Sequence, residues 1–212
     1  MIFRLQTELL QRSKGHSVAR RVNYITGERL FDVEKQMMFQ DERDDIQWKD
    51  IMLPEIAPST FNELQTLCDA MEQAEKRRDA RIARQYILCL PRELPPSAHK
   101  RMIKQFIQDN FTSRNLCAIA AIHNGLNPDD ILKSNPHAHI IVSTRSVGKE
   151  GFSKKKDRDL DSKPHLRGLM NKWRDMQNQE CEKYNLPDRL SPRFKEDLEK
   201  QRERERLLSH IR

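Results

Sequence analysis

Apolar residues recur along the chain in two rhythms, one spaced for helices and one for strands, and together they predict a mixed fold. Met1 to Leu5 alternates apolar and polar side chains and reads as a short edge strand, with RSKG after it as a turn. Ser17 then caps a helix whose Val18, Val22 and Ile25 fall on one face, with Tyr24 in its last turn before Gly27. Residues 31–58 are acid-rich and read as loop, broken by Pro54 and Pro58, and Ser59 or Thr60 caps the next helix. Leu64, Leu67, Met71, Ala74 and Ile82 predict one long helix over 60–87, acidic early and basic late as its dipole favours. YILCLP follows as a buried strand, Ser97 as the cap of the helix AHKRMIKQFIQDNF, and LCAIAAI over 116–122 as a strand ending in His123. A polar loop leads to HAHIIVSTR, whose β-branched content marks a further strand. The charged text from 146 onward reads as loop, and helices are expected over 164–185, with Trp173, and 192–209.

The sequence has 212 residues, enough for one domain or slightly more, so the search is for one site. Hydrophobic residues at 36% supply one modest core, while 33% charged residues demand a broad solvated face. The net charge of +7 favours polyanions as partners, nucleic acid first. Residues 141–212 hold 19 basic and 13 acidic side chains, so most of that excess lies in the last third. No apolar run reaches the ~20 residues of a membrane-spanning helix, and MIFRLQTELLQRSKGH has no apolar signal-peptide centre, which predicts a cytoplasmic protein without membrane insertion. Cys68, Cys89, Cys117 and Cys181 form no CxxC pair, which argues against disulfides and structural zinc.

In a strand, side chains at i and i+2 share a face, so His137 and His139 project together at a separation one cation can bridge. If the 116–122 strand lies alongside, His123 supplies a third imidazole and leaves coordination positions open, the shell of a catalytic metal. A strand-end histidine is equally an ordinary hydrogen-bonding residue, and the residues alone leave both readings open. Two other chemistries fail on the same letters. The His-x-His-x-His strand of histidine-triad hydrolases would need histidine at Ile141, and two-histidine phosphodiesterases would need a hydroxyl residue two places after each histidine. Among the three tyrosines, Tyr24 alone follows a basic pair, Arg20 and Arg21, which would hold a phosphate near its phenol. As a helical tyrosine it is also a candidate packing residue.

The stretch RSKGHSVARRVNYITGERL resembles the N-terminal signature of MobA/MobL-type plasmid relaxases, commonly RSxGxSAVAxAAYRSGE. LPEIAPSTFNE, AMEQAEKRRDARIARQYILCLPREL, AIH and NPHAHIIVSTR continue the resemblance in order, over residues 1–160. It implies an α+β fold with a central antiparallel β-sheet flanked by helices, as in HUH relaxases and rolling-circle initiators. Residues 1–160 would be the catalytic core, and 161–212 a basic helical segment packed on it or extending from it.

The resemblance also implies roles. Tyr24 matches the nucleophile that becomes joined to the DNA 5′ end, and His123, His137 and His139 match the ligands of a divalent cation, Mg²⁺ or Mn²⁺. The activity implied is nicking and religation of one strand at a plasmid transfer origin. Family members often carry acids where Gln85 and Ile87 stand here, which leaves Glu72 and Glu75, upstream, as candidate general bases. Arg20, Arg21, Lys154, Lys155, Lys156 and Arg158 are the candidate contacts to single-stranded origin DNA. Accessory relaxosome proteins and a type IV secretion coupling protein are the further partners implied. A non-catalytic DNA-binding module with a retained metal shell, and a replication initiator of the same class, are the competing readings.

Overall fold

The computed structural model describes residues 4–125, 134–187 and 190. Five antiparallel strands form the central sheet in the order β1-β5-β7-β6-β4: β1 Leu5–Gln11, β5 Arg81–Cys89, β7 His137–Ser143, β6 Ala118–His123 and β4 Ile46–Met52. The inner strands β6 and β7 are near-continuous apolar runs because helices cover both faces, leaving no solvated side on which polar residues would alternate. Helices α1 (Val18–Thr26) and α2 (Leu64–Gln73) lie on one face, and α3 (Pro96–Asn110) and α4 (Lys163–Lys183) on the other.

Each face has its own core. Val18, Val22 and Ile25 of α1 and Leu67 and Met71 of α2 pack on Ala83, Ile119, Ala121 and Ile141. Met102, Phe106 and Phe111 pack with Trp173 of α4 on Tyr86, Ala120 and Ile140. Trp173 is fully buried with its ring edge-on to Phe106 at 5.3 Å, so α4 is fastened to the core by one large aromatic anchor. The cysteines are buried and free, as expected.

Several expected elements differ. The single helix over 60–87 is instead a 3-10 turn at Ser59–Asn62, the ten residues of α2, and then the first part of β5. Ile82 through Tyr86 are all buried, which a central strand covered on both sides requires and an amphipathic helix does not. Glu63, rather than Ser59 or Thr60, caps α2, its carboxylate accepting from the Gln65 and Thr66 amides. The loop expected over 31–58 contains a small hairpin, β2 (Leu30–Asp32) with β3 (Met37–Phe39), and the edge strand β4. The first strand runs Leu5–Gln11, while most of the strand expected over Met1–Leu5 lies outside the described residues, and α3 begins at Pro96, ahead of Ser97. The expected loop after 145 is a hairpin of β8 (Arg145–Gly148) and β9 (Gly151–Lys156). The helix expected over 192–209 lies outside the described residues.

Candidate metal centre and nucleophile

Strand register builds the site. His123 on β6 stands directly opposite His137 on β7, and His139, two residues on, shares the face that α1 covers. Gly125, at φ +51°, turns the chain out of β6, and a Cβ there would sit 2.2 Å from the Asn135 carbonyl oxygen, so only glycine lets the two ends of the connecting loop meet beside His137. The ring centroids lie 4.9 to 5.3 Å apart, and one nitrogen from each imidazole falls within 4.8 Å of the others.

The hydrogen bonds show which nitrogens are free. His123 Nε2–H donates to the Ile25 carbonyl at 2.8 Å, which leaves Nδ1 buried and without a hydrogen-bond partner. His137 Nδ1–H donates to the Asn135 carbonyl at 2.8 Å, which leaves its Nε2 bare. Backbone carbonyls thus fix two of the three rings in the tautomer that presents a lone pair, the arrangement in which metal-binding histidines are held. Burial pushes His139 down to about 3, helped by His137 and His123, and burial likewise lowers His123, so both rings are neutral at physiological pH. Three converging imidazoles, one with an orphaned buried nitrogen, fit a divalent cation.

Tyr24 stands in the last turn of α1. Ser17 caps the helix start, accepting from the Arg20 amide, and Gly27, at φ +65°, ends it in the left-handed conformation. The apolar face of α1 goes to the sheet, so Tyr24 stays 45% exposed with its ring edge-on to His139 at 6.4 Å. The phenol is therefore open to a ligand and adjacent to the imidazoles.

Two residues that the sequence reading overlooked join it. The Arg43 guanidinium lies 4.8 Å from the centroid of the Tyr24 ring, and both its Nε and Nη2 donate to the Asp45 carboxylate, at 2.8 and 2.7 Å. Asp45 Oδ2 is 3.7 Å from His123 Nδ1. The Arg43 hydrogen bond, with help from His123, holds the Asp45 carboxyl below the usual carboxylate range. The signal for both was the missed strand β4, whose pairing with β6 brings Ile46 opposite His123 and its acidic approach to the imidazoles.

The candidate bases Glu72 and Glu75 both have partners within the fold. Glu72 Oε1 accepts from the Val18 amide at 2.6 Å, at the opposite end of α1 from Tyr24, and its Oε2 pairs with Arg12 at 3.0 Å. Buried Glu75 accepts from Thr144 and Arg145, each at 2.7 Å, and pairs with Lys156 at 2.8 Å. Both carboxylates therefore tie elements together rather than facing the phenol. Among the candidate DNA contacts, Arg20 pairs with Asp41 and Arg21 with Glu8 and Gln85. Lys154, Lys155, Lys156 and Arg158 line an open groove of about 1190 Å³ with Lys76 and Arg77. Arg81 also lines it and lies six residues along β5 from Ile87, the partner of His139, so the groove is roughly 20 Å from the imidazoles.

Three histidines gathered on an antiparallel sheet that helices cover on both faces give the α+β form that the resemblance implied. The chain belongs to the MobA/MobL family, whose profile matches residues 16–207. It is 31% identical over 160 residues to a probable mobilization protein MobA of Bifidobacterium longum, covering 74% of this chain and 27% of that protein. It is 24% identical over 166 residues to the conjugal transfer protein TraA of Agrobacterium fabrum, covering 73% of this chain and 14% of TraA. The chain thus spans about a quarter of the first relative and a seventh of the second. A solved structure described as the molecular basis of vancomycin resistance transfer in Staphylococcus aureus has the same fold, with TM-score 0.81 at 22% identity over 92% of this chain and all of that one. Among the described residues no helix is long and apolar enough to cross a membrane.

Proposed function

We propose that the chain is a metal-dependent single-strand DNA endonuclease and transesterase that nicks a plasmid transfer origin and can religate it. The observation that carries this reading is the exposed phenol of Tyr24 set edge-on against His139 of the imidazole triad. Tyr24 Oη attacks the scissile phosphorus, the bond from phosphorus to the 3′ oxygen breaks, and the 3′ oxygen leaves as a hydroxyl after taking a proton. The 5′ phosphate remains on the tyrosine, and conserving the ester in this way lets the reverse attack reseal the strand without a nucleotide cofactor.

His123, His137 and His139 would hold the cation, Mg²⁺ or Mn²⁺, whose contribution when bound is to polarise the scissile phosphate and offset its charge in the transition state. With Glu72 and Glu75 occupied elsewhere, the exposed phenol passes its proton to solvent. Arg43, above the ring, sets the phenol's direction and lies beside the charge it gains. Arg20 and Arg21 lie on the nucleophile's own helix, and the groove holding Lys154, Lys155, Lys156 and Arg158 gives flanking phosphates a second basic surface. The partner is single-stranded origin DNA, and a bacterial cytoplasm, accessory relaxosome proteins and a type IV coupling protein complete the setting implied for mobilisation.

The test is denaturing electrophoresis of an oligonucleotide carrying the transfer origin, incubated with protein and Mn²⁺. A covalent protein–DNA adduct in wild type, lost in Tyr24→Phe and His139→Ala, is the expected result. No adduct in any of the three, with binding retained, overturns the enzyme in favour of a DNA-binding module.

A further inference from the structure

His123 and His137 each hand their non-ligating N–H to a backbone carbonyl, but His139 faces a side chain that also donates. Gln85 Nε2 lies 2.6 Å from His139 Nδ1, while Gln85 Oε1 accepts from Arg21 Nη1 at 2.7 Å. Arginine can only donate, so the end of the amide facing Arg21 must be the oxygen and the end facing His139 must be the NH₂. Arg21 cannot readily turn away, because the same guanidinium is held by Glu8 at 2.9 and 3.1 Å. Gln85 is 1% exposed and His139 6%, so no bulk water is at hand to relieve a mismatch. A neutral imidazole that accepts at Nδ1 carries its proton on Nε2, the nitrogen left to face a cation. In this arrangement two rings of the triad are ready for a cation and the third is blocked by its own proton.

Resting on the metal-centre reading above, we propose that Gln85 is a positioning residue that couples cation binding to Arg21. For His139 Nε2 to bind a cation, the ring proton must move to Nδ1, and the Gln85 amide must turn over so that Oε1 accepts it. The turned amide then presents NH₂ to Arg21, so their hydrogen bond breaks. Arg21, on the helix that carries Tyr24, keeps only Glu8 and has a guanidinium edge released for a DNA phosphate. Loading the centre thereby primes a phosphate-binding arginine one helical turn from the nucleophile. A carboxylate at position 85 would accept from both neighbours at once and remove the coupling.

The experiment combines two readouts on the whole chain with Zn²⁺, which is diamagnetic, as the probe. Long-range ¹⁵N–¹H correlation spectra of the histidine side chains report the tautomer of His139, and titration calorimetry reports affinity. Wild type without metal is expected to carry the His139 proton on Nε2 and to move it to Nδ1 on adding Zn²⁺. Gln85→Glu is expected to show the Nδ1–H form before any metal is added, with Zn²⁺ bound about 10- to 100-fold more tightly. Arg21→Leu, which removes the donor that pins Oε1, should shift the metal-free tautomer the same way. It guards against a Gln85→Glu chain that fails to fold. The affinity gain alone would follow from the change of charge, but the tautomer would not. Finding Nδ1–H already in metal-free wild type overturns the proposal while leaving the metal centre intact. Absence of Zn²⁺ binding in all three proteins overturns both.

Discussion

Arg43 Nη1 donates to the backbone carbonyl of Tyr24 at 3.1 Å while its guanidinium carbon lies 4.8 Å from the centroid of the same residue's ring. One side chain thus grips Tyr24, the proposed nucleophile, by main chain and ring together, and the Asp45 fork prevents it from swinging away.

Replacing Arg43 with alanine removes that grip without opening the core, because Tyr24 is exposed. Misplacing a reacting group by about 1 Å costs on the order of 100-fold in rate, so adduct formation by Arg43→Ala should fall by about that factor. The pair is partly exposed, so the melting temperature should barely move. Arg43→Lys should recover only part of the rate, since an ammonium cannot span both Asp45 oxygens. Single-turnover kinetics beside a thermal melt checks all three statements.

The imidazole triad predicts a ligand-linked rise in stability. Mn²⁺ at 100 times its dissociation constant should stabilise the folded chain by about 2.7 kcal/mol, seen as a higher melting temperature that chelator reverses. His123→Ala and His139→Ala should lose the effect. An equal shift in those variants would place the ion elsewhere.

Glu75 predicts a pH response. It joins the end of α2 to Thr144, Arg145 and Lys156, and although burial pushes its carboxyl up, Arg145, Lys156 and Thr144 outweigh that and hold it below the usual range. A lowered folded value means that its contribution is complete above about 4.5 and is lost as pH falls through the folded value. Buried His99, lowered by burial while its Nε2–H donates to the Pro91 carbonyl, acts in the same direction. Below about 6.5 the unfolded chain gains a proton there that the folded chain resists. Stability should therefore decline from neutral pH downward. Glu75→Gln should cost about 3 kcal/mol at pH 7 and flatten the acid limb of that decline, as measured by urea unfolding across pH.

The basic groove predicts salt dependence without a change in chemistry. Log-affinity for single-stranded DNA falls with log-salt by about 0.7 per phosphate contact, so replacing Lys154, Lys155 and Arg158 with alanine should reduce the slope by up to about 2. Adduct formation at saturating DNA should persist. An unchanged slope would show that the groove meets no phosphate.

The triad strands were legible because β6 and β7 are covered on both faces, so unbroken apolar runs ending in histidine stand out from their polar surroundings. Strand β5 was obscured by its neighbour. The spacing of Leu64, Leu67 and Met71 extends by coincidence to Ala74 and Ile82, and no glycine or proline over 60–87 marks the reversal. Edge strand β4 exposes Gln47 and Lys49 and half-buries its other residues, so it reads as a polar loop until its partner is known. The environments of Glu72, Glu75 and Gln85 follow from contacts spanning more than 50 residues, which local periodicity does not encode.

Because His123 and His137 face one another across a ladder whose side chains alternate sides, a slip of one residue would send one imidazole through to the opposite layer. A chain that collapsed with its strands misaligned would be compact and yet unable to gather three rings. Ability to capture an ion is therefore a test that only the correctly threaded molecule passes.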